Sequence, residues 1–589
     1  MRRRNLLGIL SLAVVMSVAF GNHSAPAAEK VPSQRLLPPD VYAYVTFPSI
    51  PELKQRWSQS MLGELAHDRE LADFWRDVEV QWREASAKVE EEIGVNLNDL
   101  LTIPSGEVSI AIMQLRGKKV GIVGFLDFGD NGETVDVLLE KSAKALDEQG
   151  GKRTVQEFEK TRIVVYQSAD KQETEENDDE EIDADHNKFA YFLKDSYFVA
   201  ASHVEVLEAV LSRWDGKHPQ TFAENEVYRY IVDRCKNEDS EAVMTWYVNP
   251  VSMVTAALEM GGAKGSNRSS RLLGQLPMLG ITQLKAIGGS IDMAAGDFDS
   301  ISRALMYVDF PASGVLNMLQ FPATEQLPPK WVSAKSSAYV AFNWDIGGAY
   351  AALEALVDSF LGLPGMFANI VNRMAENENG SKVHLKKDFI DHLNGTVHLV
   401  GDFVESENED RQRERILIAL GTRNADNIKT MLSAIVKTSV FPIEVREFRG
   451  ETVYELSGGI PGNQNVTLGF GVVNDHLMIA SDVAMLEQVI RADQDQESLS
   501  ESAAYRKIAR KFPEKTSILS YQHQNPQFKA VYELVRSGQA GLSFQGLDFT
   551  KLPPFSAIAK YLPAAGSYVV PDKHGALIVS FRLRDGQKK

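Results

Sequence analysis

Two kinds of hydrophobic spacing alternate along the chain. Runs such as Val108 to Met113, Val120 to Phe128, Arg162 to Tyr166, Phe189 to Leu193 and Tyr197 to Ala201 are rich in β-branched and aromatic residues, with short turns between several of them. That pattern predicts strands, and short turns between neighbours predict antiparallel pairing. Elsewhere apolar positions fall three and four apart: Leu71, Phe74, Trp75, Val78, Trp82, Ala85 and Val89 line one face of a long predicted helix that stops near Gly94. In the C-terminal half Leu353, Leu356, Val357, Phe360 and Leu361 repeat the spacing, and Glu354 and Asp358 among them mark an amphipathic helix, not a membrane span. Strand meanders with helices set between them define the α+β class.

The two halves of the chain echo each other, which predicts two diverged tandem copies of a mainly antiparallel sheet-plus-helices module. Leu37-Pro38-Pro39 leading to Ala43-Tyr44-Val45 is answered by Leu327-Pro328-Pro329 leading to Ala338-Tyr339-Val340. Asp99-Leu100-Leu101 with Gly106-Glu107-Val108-Ser109-Ile110 returns 289 positions later as Asp388-Phe389-Ile390 with Gly395-Thr396-Val397-His398-Leu399. Ala201-Ser202 matches Ala480-Ser481; Glu224, Tyr228 and Ile231 match Glu501, Tyr505 and Ile508; Asn249-Pro250 matches Asn525-Pro526; and Gly289-Ser290 has a fainter counterpart in Gly566-Ser567. The expected boundaries are a signal peptide at 1–27, a first α+β module at 28–326 with an acidic disordered insertion at 169–187, and a second module at 327–589. A chain of 589 residues also exceeds the roughly 250–300 at which one core stops growing.

Arg2-Arg3-Arg4 followed by an apolar run from Leu6 to Phe20 and by Ala25-Pro26-Ala27 has the form of a cleaved export signal. The apolar run falls short of the ~20 residues of a spanning helix, so no stable membrane span is expected after its removal. The expected compartment is periplasmic or extracellular. The formal net charge is -18, and loss of the three signal arginines makes it -21, a surface that repels nucleic acid and anionic lipid. Cys235 is the one cysteine, so no intramolecular disulfide forms; with Val227 and Ile231 at helical spacing it reads as buried filler.

Motifs that carry chemistry are missing: there is no H-E-x-x-H, C-x-x-C pair, G-x-S-x-G, phosphate loop or G-x-G-x-x-G. His384, His392 and His398 share no helical face, and across the two halves His398 aligns with Ser109 and His476 with Tyr197, which argues against a shared metal or triad site. Asn249-Pro250 and Asn525-Pro526 read as helix caps, and Glu224 with Tyr228 as a helix start. Asp170 to Asp185 holds ten carboxylates and one lysine, without the glycine and glutamate of a calcium-binding loop. Gly261 to Asn267 reads as a flexible connection. No catalytic, cofactor-binding or metal residue is assigned.

The opening from Leu37-Pro38-Pro39-Asp40 through Ala43-Tyr44-Val45 to a proline-led helix at Pro51-Glu52-Leu53, Trp57 and Leu62 resembles a family of exported bacterial proteins known only as a domain of unknown function. The resemblance implies export and a fold, but no activity. The expected function is a non-catalytic extracytoplasmic binding or structural protein with a protein or extracellular ligand as partner. Two alternatives stand beside it: a hydrolase using carboxylates such as Glu224 or Asp292, and calcium-dependent adhesion through the acidic loop.

Overall fold

A computed structural model describes residues 30–93, 102–115, 120–148, 150–167, 188–237, 240–260, 274–378, 380–405, 412–439, 441–456, 467–491, 497–523, 526–538 and 548–584. The expected export signal, Gly94, the acidic segment 170–185, Gly261 to Asn267 and Asn525 lie outside these residues. The chain is α+β, with mixed helices and antiparallel ladders. It forms two compact units, each drawn from three stretches: residues 1–266, 285–307 and 536–557 in the first, 267–284, 308–535 and 558–589 in the second.

The strands of unit 1 are β1 (Val41–Phe47), β2 (Val108–Gln114), β3 (Val120–Asp127), β4 (Lys152–Phe158), β5 (Thr161–Gln167), β6 (Lys188–Lys194), β7 (Tyr197–Ala201), β8 (Met244–Val248), β9 (Leu284–Ala295) and β10 (Phe298–Val308). They pair in the order β10-β9-β8-β1-β2-β3-β7-β6-β5-β4. Its helices are α1 (Ile50–Ser58), α2 (Met61–Ala66), α3 (Ala72–Ile93), α4 (Gly132–Glu148), α5 (Val204–Leu211), α6 (Glu226–Cys235) and α7 (Pro250–Met260). The expected helix from Pro51 to Leu62 is broken at Gln59, because Ser60 turns its hydroxyl onto the Gly63 N–H and starts α2 afresh.

Strand alternation gives the sheet two apolar faces. Val123, Phe125 and Val199 point to one face, the one on which α5 packs; Leu126 and Phe198 point to the other, against Val135 and Leu138 of α4. The α6 side chains Tyr228, Ile231 and Cys235 are buried, and the Cys235 thiol is fully enclosed as its helical spacing predicted. Tyr44, Phe222, Tyr228 and Tyr247 meet ring to ring there, with Phe222 and Tyr228 centroids 4.1 Å apart.

Unit 2 contains β11 (Ala338–Asn343), β12 (Leu393–Glu405), β13 (Gln412–Thr422), β14 (Ile443–Phe448), β15 (Glu451–Leu456), β16 (Leu468–Val473), β17 (His476–Ala480), β18 (Ile518–Gln522), β19 (Ala565–Asp572) and β20 (Gly575–Leu583). Their pairing order is β20-β19-β18-β11-β12-β13-β17-β16-β15-β14. Its helices are α8 (Ile346–Leu361), α9 (Met366–Glu376), α10 (Ala425–Thr438), α11 (Val483–Arg491), α12 (Ala503–Ala509) and α13 (Pro526–Arg536). Among the described residues no single helix is long and apolar enough to cross a membrane.

The registers fix which residues occupy corresponding places. Tyr44 lies between Ala111 and Tyr247, and Tyr339 between Val400 and Tyr521. Gly288 stands opposite Tyr247 and Gly566 opposite Tyr521, so Gly566 answers Gly288, one residue away from the Gly289 that the sequence echo suggested. A helix packs hard on both glycines: a Cβ at Gly288 would stand 3.1 Å from the Ile231 side chain, and one at Gly566 2.6 Å from that of Ile508.

Candidate functional site

The same end of each sheet carries a buried polar group, with different chemistry in the two units. In unit 1 Glu107 precedes β2 and is 8% exposed. Its carboxylate accepts from the Ser33 N–H at 3.0 Å, the Ser33 hydroxyl at 2.5 Å, Thr46 Oγ1 at 3.1 Å and Tyr197 Oη at 3.2 Å. Beside it Asp127 pairs with Lys30 at 2.5 Å, and the Lys30 ammonium lies over the Tyr197 ring. Burial and then the Glu107 charge push the Tyr44 and Tyr197 phenols well above their ordinary range, so both stay protonated and keep donating. Every oxygen of Glu107 is occupied, which makes the group a clamp holding the segment at Ser33–Arg35 to the sheet.

In unit 2 the corresponding positions read Thr396 for Glu107, Gly421 for Asp127, His398 for Ser109 and His476 for Tyr197. His398 on β12 and His476 on β17 face the same side, and their rings lie 5.4 Å apart. Trp331 meets both edge-on, at 5.8 and 5.7 Å. Tyr339 Oη stands 2.9 Å from His398 Nδ1. Burial, followed by the electrostatic influence of the neighbouring His476, pushes His398 down to about 4, so its imidazole is neutral at neutral pH. Among the described residues neither imidazole hydrogen-bonds a serine, threonine or cysteine, and no three histidine, cysteine or acidic side chains converge as metal ligands.

Further along the same strands Asp402 of β12 faces Arg415 of β13. Arg415 is 4% exposed, donates to Asp402 at 2.6 Å and to Gln488 of α11 at 3.1 Å, and its Nε–H has no partner among the described residues. Next to this pair opens a cavity of about 300 Å3. Val400, Leu417, Met485 and Val489 form its apolar wall, Trp331 joins it to the histidines, and Ser333, Lys335 and Arg491 add polar groups. Unit 1 has Met113 opposite Gly121 at this register. There Val206 and Leu115 fill the space, since a Cβ on Gly121 would come within 2.6 Å of Val206.

The carboxylates named from sequence do not converge. Glu224 is exposed and pairs with Arg229 at 3.4 Å, while Asp292 is 2% exposed and held by Arg56 at 2.5 Å and by Asn237 and Ser240. Asn225 accepts from the Val227 and Tyr228 N–H groups and Asn249 from that of Ser252, so both are caps. His384 caps the turn at Lys386 and Lys387, and His392 stands by Asn427; neither joins His398. Sequence reasoning missed the His398–His476 pair because 78 positions separate them; the usable signal was that each aligned with a polar residue, Ser109 or Tyr197.

Residues 385–542 match the model of a family described as a protein of unknown function (DUF3352). The matched stretch carries both histidines, Asp402, Arg415 and Gln488, but not Trp331 or Tyr339, and it leaves out the opening Leu37 to Leu62 that first suggested such a family. No curated protein and no solved structure matches the chain.

Proposed function

We propose that this chain is an exported, non-catalytic binding protein made of two diverged copies of one module, the first a scaffold and the second the carrier of a small-molecule site. The observation that carries the reading is the contrast at one register. Gly121, opposite Met113, is packed shut by Val206 and Leu115, whereas Asp402, which stands at the place of Met113, lines an open cavity. The common pairing order of ten strands supports the duplication, and the basic, apolar and small-residue pattern of residues 1–27 supports export.

The cavity suits a compact molecule with an apolar body against Val400, Leu417 and Met485 and an anionic end toward Lys335 and Arg491. A volume near 300 Å3 is at the small end of ligand sites. Saturation-transfer NMR against a set of small carboxylates and phosphate esters tests this. Binding that falls by about tenfold or more in Leu417→Trp, which fills the cavity, is the expected result. No binding, or binding indifferent to Leu417→Trp, sinks the site; turnover of any ligand that His398→Ser abolishes sinks the non-catalytic reading. Export is checked by the mass of the mature N-terminus after expression, expected to begin after Ala27.

A further inference from the structure

The second apolar helix predicted from the sequence does not bury its whole stripe. Its first part packs, with Ala349, Tyr350 and Ala352 buried, but Phe360 and Leu361 at its end are 58% and 46% exposed. The chain then turns sharply: Gly362 takes a left-handed conformation, and α9 leaves at 108° to α8. Leu363 in the bend is 56% exposed, and Ile370 and Met374, one turn apart on α9, are also exposed. From Ser359 to Asn372 there is no charged residue.

This bend is held by a carboxylate at its edge. Asp358 accepts from the Gly365 N–H at 2.6 Å and the Phe367 N–H at 2.8 Å, so one carboxylate ties the end of α8 to the start of α9. Tyr350 packs against Phe367 at 5.5 Å across the pair. A bend fixed by these contacts thus offers Phe360, Leu361 and Leu363 to solvent. Stable protein interfaces bury about 800 Å2 a side on matched surfaces, whereas exposed phenylalanine and leucine at a fixed bend, followed by a run without charge to residue 372, suit shallow burial of apolar area in a bilayer interface. The two helices together also meet the length and composition of a membrane segment, broken by the bend.

We propose that the α8–α9 bend is a membrane-surface anchor that inserts Phe360, Leu361 and Leu363 into the interface of a neutral or zwitterionic bilayer. The strongly acidic chain excludes anionic lipid as the preferred surface, and the run from 359 to 372 carries no cation that would call for it. The anchor is independent of the cavity in the same unit.

The test uses the full chain carrying Leu363→Cys with an environment-sensitive fluorophore; Cys235, the native thiol, is buried. A control chain carries the label at Lys573→Cys in the β19–β20 turn. With phosphatidylcholine–phosphatidylethanolamine vesicles, the label at 363 shifts to the blue and that at 573 does not. Adding Phe360→Asn and Leu361→Gln lowers the partition measured at 363 by roughly tenfold or more, with an unchanged circular dichroism spectrum. Absence of the shift at 363, or its persistence in the double variant, overturns the anchor. So does a concentration-dependent dimer formed without vesicles and abolished by the double variant, since the bend would then seat a second copy of the chain.

Discussion

At one end of the unit 1 sheet a carboxylate is saturated with donors; at the matching end of the unit 2 sheet two imidazoles and an indole meet at their edges, with a single hydrogen bond between them and Tyr339. Both solutions bury a polar group over the same two strands, yet they respond differently to their surroundings. Glu107 is locked by four donors from three segments, which makes it a structural tie. His398 trades one hydrogen bond for burial, so it answers to protons. A shared backbone register therefore does not preserve chemistry; the side chains that close over it decide.

The sharpest way to break the comparison is Glu107→Ala, which removes the shared acceptor of Ser33, Thr46 and Tyr197 and leaves the buried Ser33 N–H and Tyr197 hydroxyl without it. A loss of about 3 to 5 kcal/mol in the unfolding of unit 1 is expected, read by denaturant titration followed with probes in each unit. Unit 2 should not respond.

Acid separates the two units next. The His398 imidazole, held near 4 in the folded chain, binds a proton near 6.5 once unfolded. Its contribution to stability is complete above about pH 6.5 and is lost as pH falls through 4, about 3 kcal/mol in all. Melting temperature against pH should fall across that window in the native chain and fall less in His398→Ser, which installs the residue unit 1 has. Equal slopes in both proteins would remove His398 from the account.

Asp402→Ala strands Arg415 in its buried position and should cost about 2 kcal/mol, less than a fully enclosed pair because Asp402 is 26% exposed. The double change Asp402→Leu with Arg415→Met replaces both charges by apolar groups of similar volume and should recover most of that loss, measured by the same titration. The smallest effect tests sameness: Asn225→Ala and Ser502→Ala remove the caps of α6 and α12 and should each cost about 1 kcal/mol.

Much of this fold is legible in the sequence because burial imposes period. The runs at Val108, Val120, Arg162, Phe189 and Tyr197 became β2, β3, β5, β6 and β7 with edges shifted by a residue or two. Cap chemistry was equally local: Asn249 and Ser502 need only the next turn of chain to act. The Glu107 group could not be read this way, since its donors come from Ser33, Thr46 and Tyr197, brought together only by pairing of β1, β2, β3 and β7. The cavity was hidden for a related reason: Gly121 and Arg415 look unrelated until the register sets each beside Met113 or Asp402. Helical spacing also said that Phe360 and Leu361 share a stripe with Leu353, but not that this stripe outruns what lies beneath it.

The isoleucine-on-glycine contacts of Ile231 with Gly288 and Ile508 with Gly566 impose a rule of exchange on kindred sequences. A methyl group at 566 needs a shorter side chain at 508 and room from the Phe512 and Phe581 rings, and at 288 it also meets the Trp246 carbonyl oxygen 2.8 Å away. Glycine-to-alanine drift at either position should therefore travel with changes at several neighbours, 231 or 508 among them. Such linked drift, traced separately at the two ends of the chain, would date how long each pair of partners has been adjusting on its own.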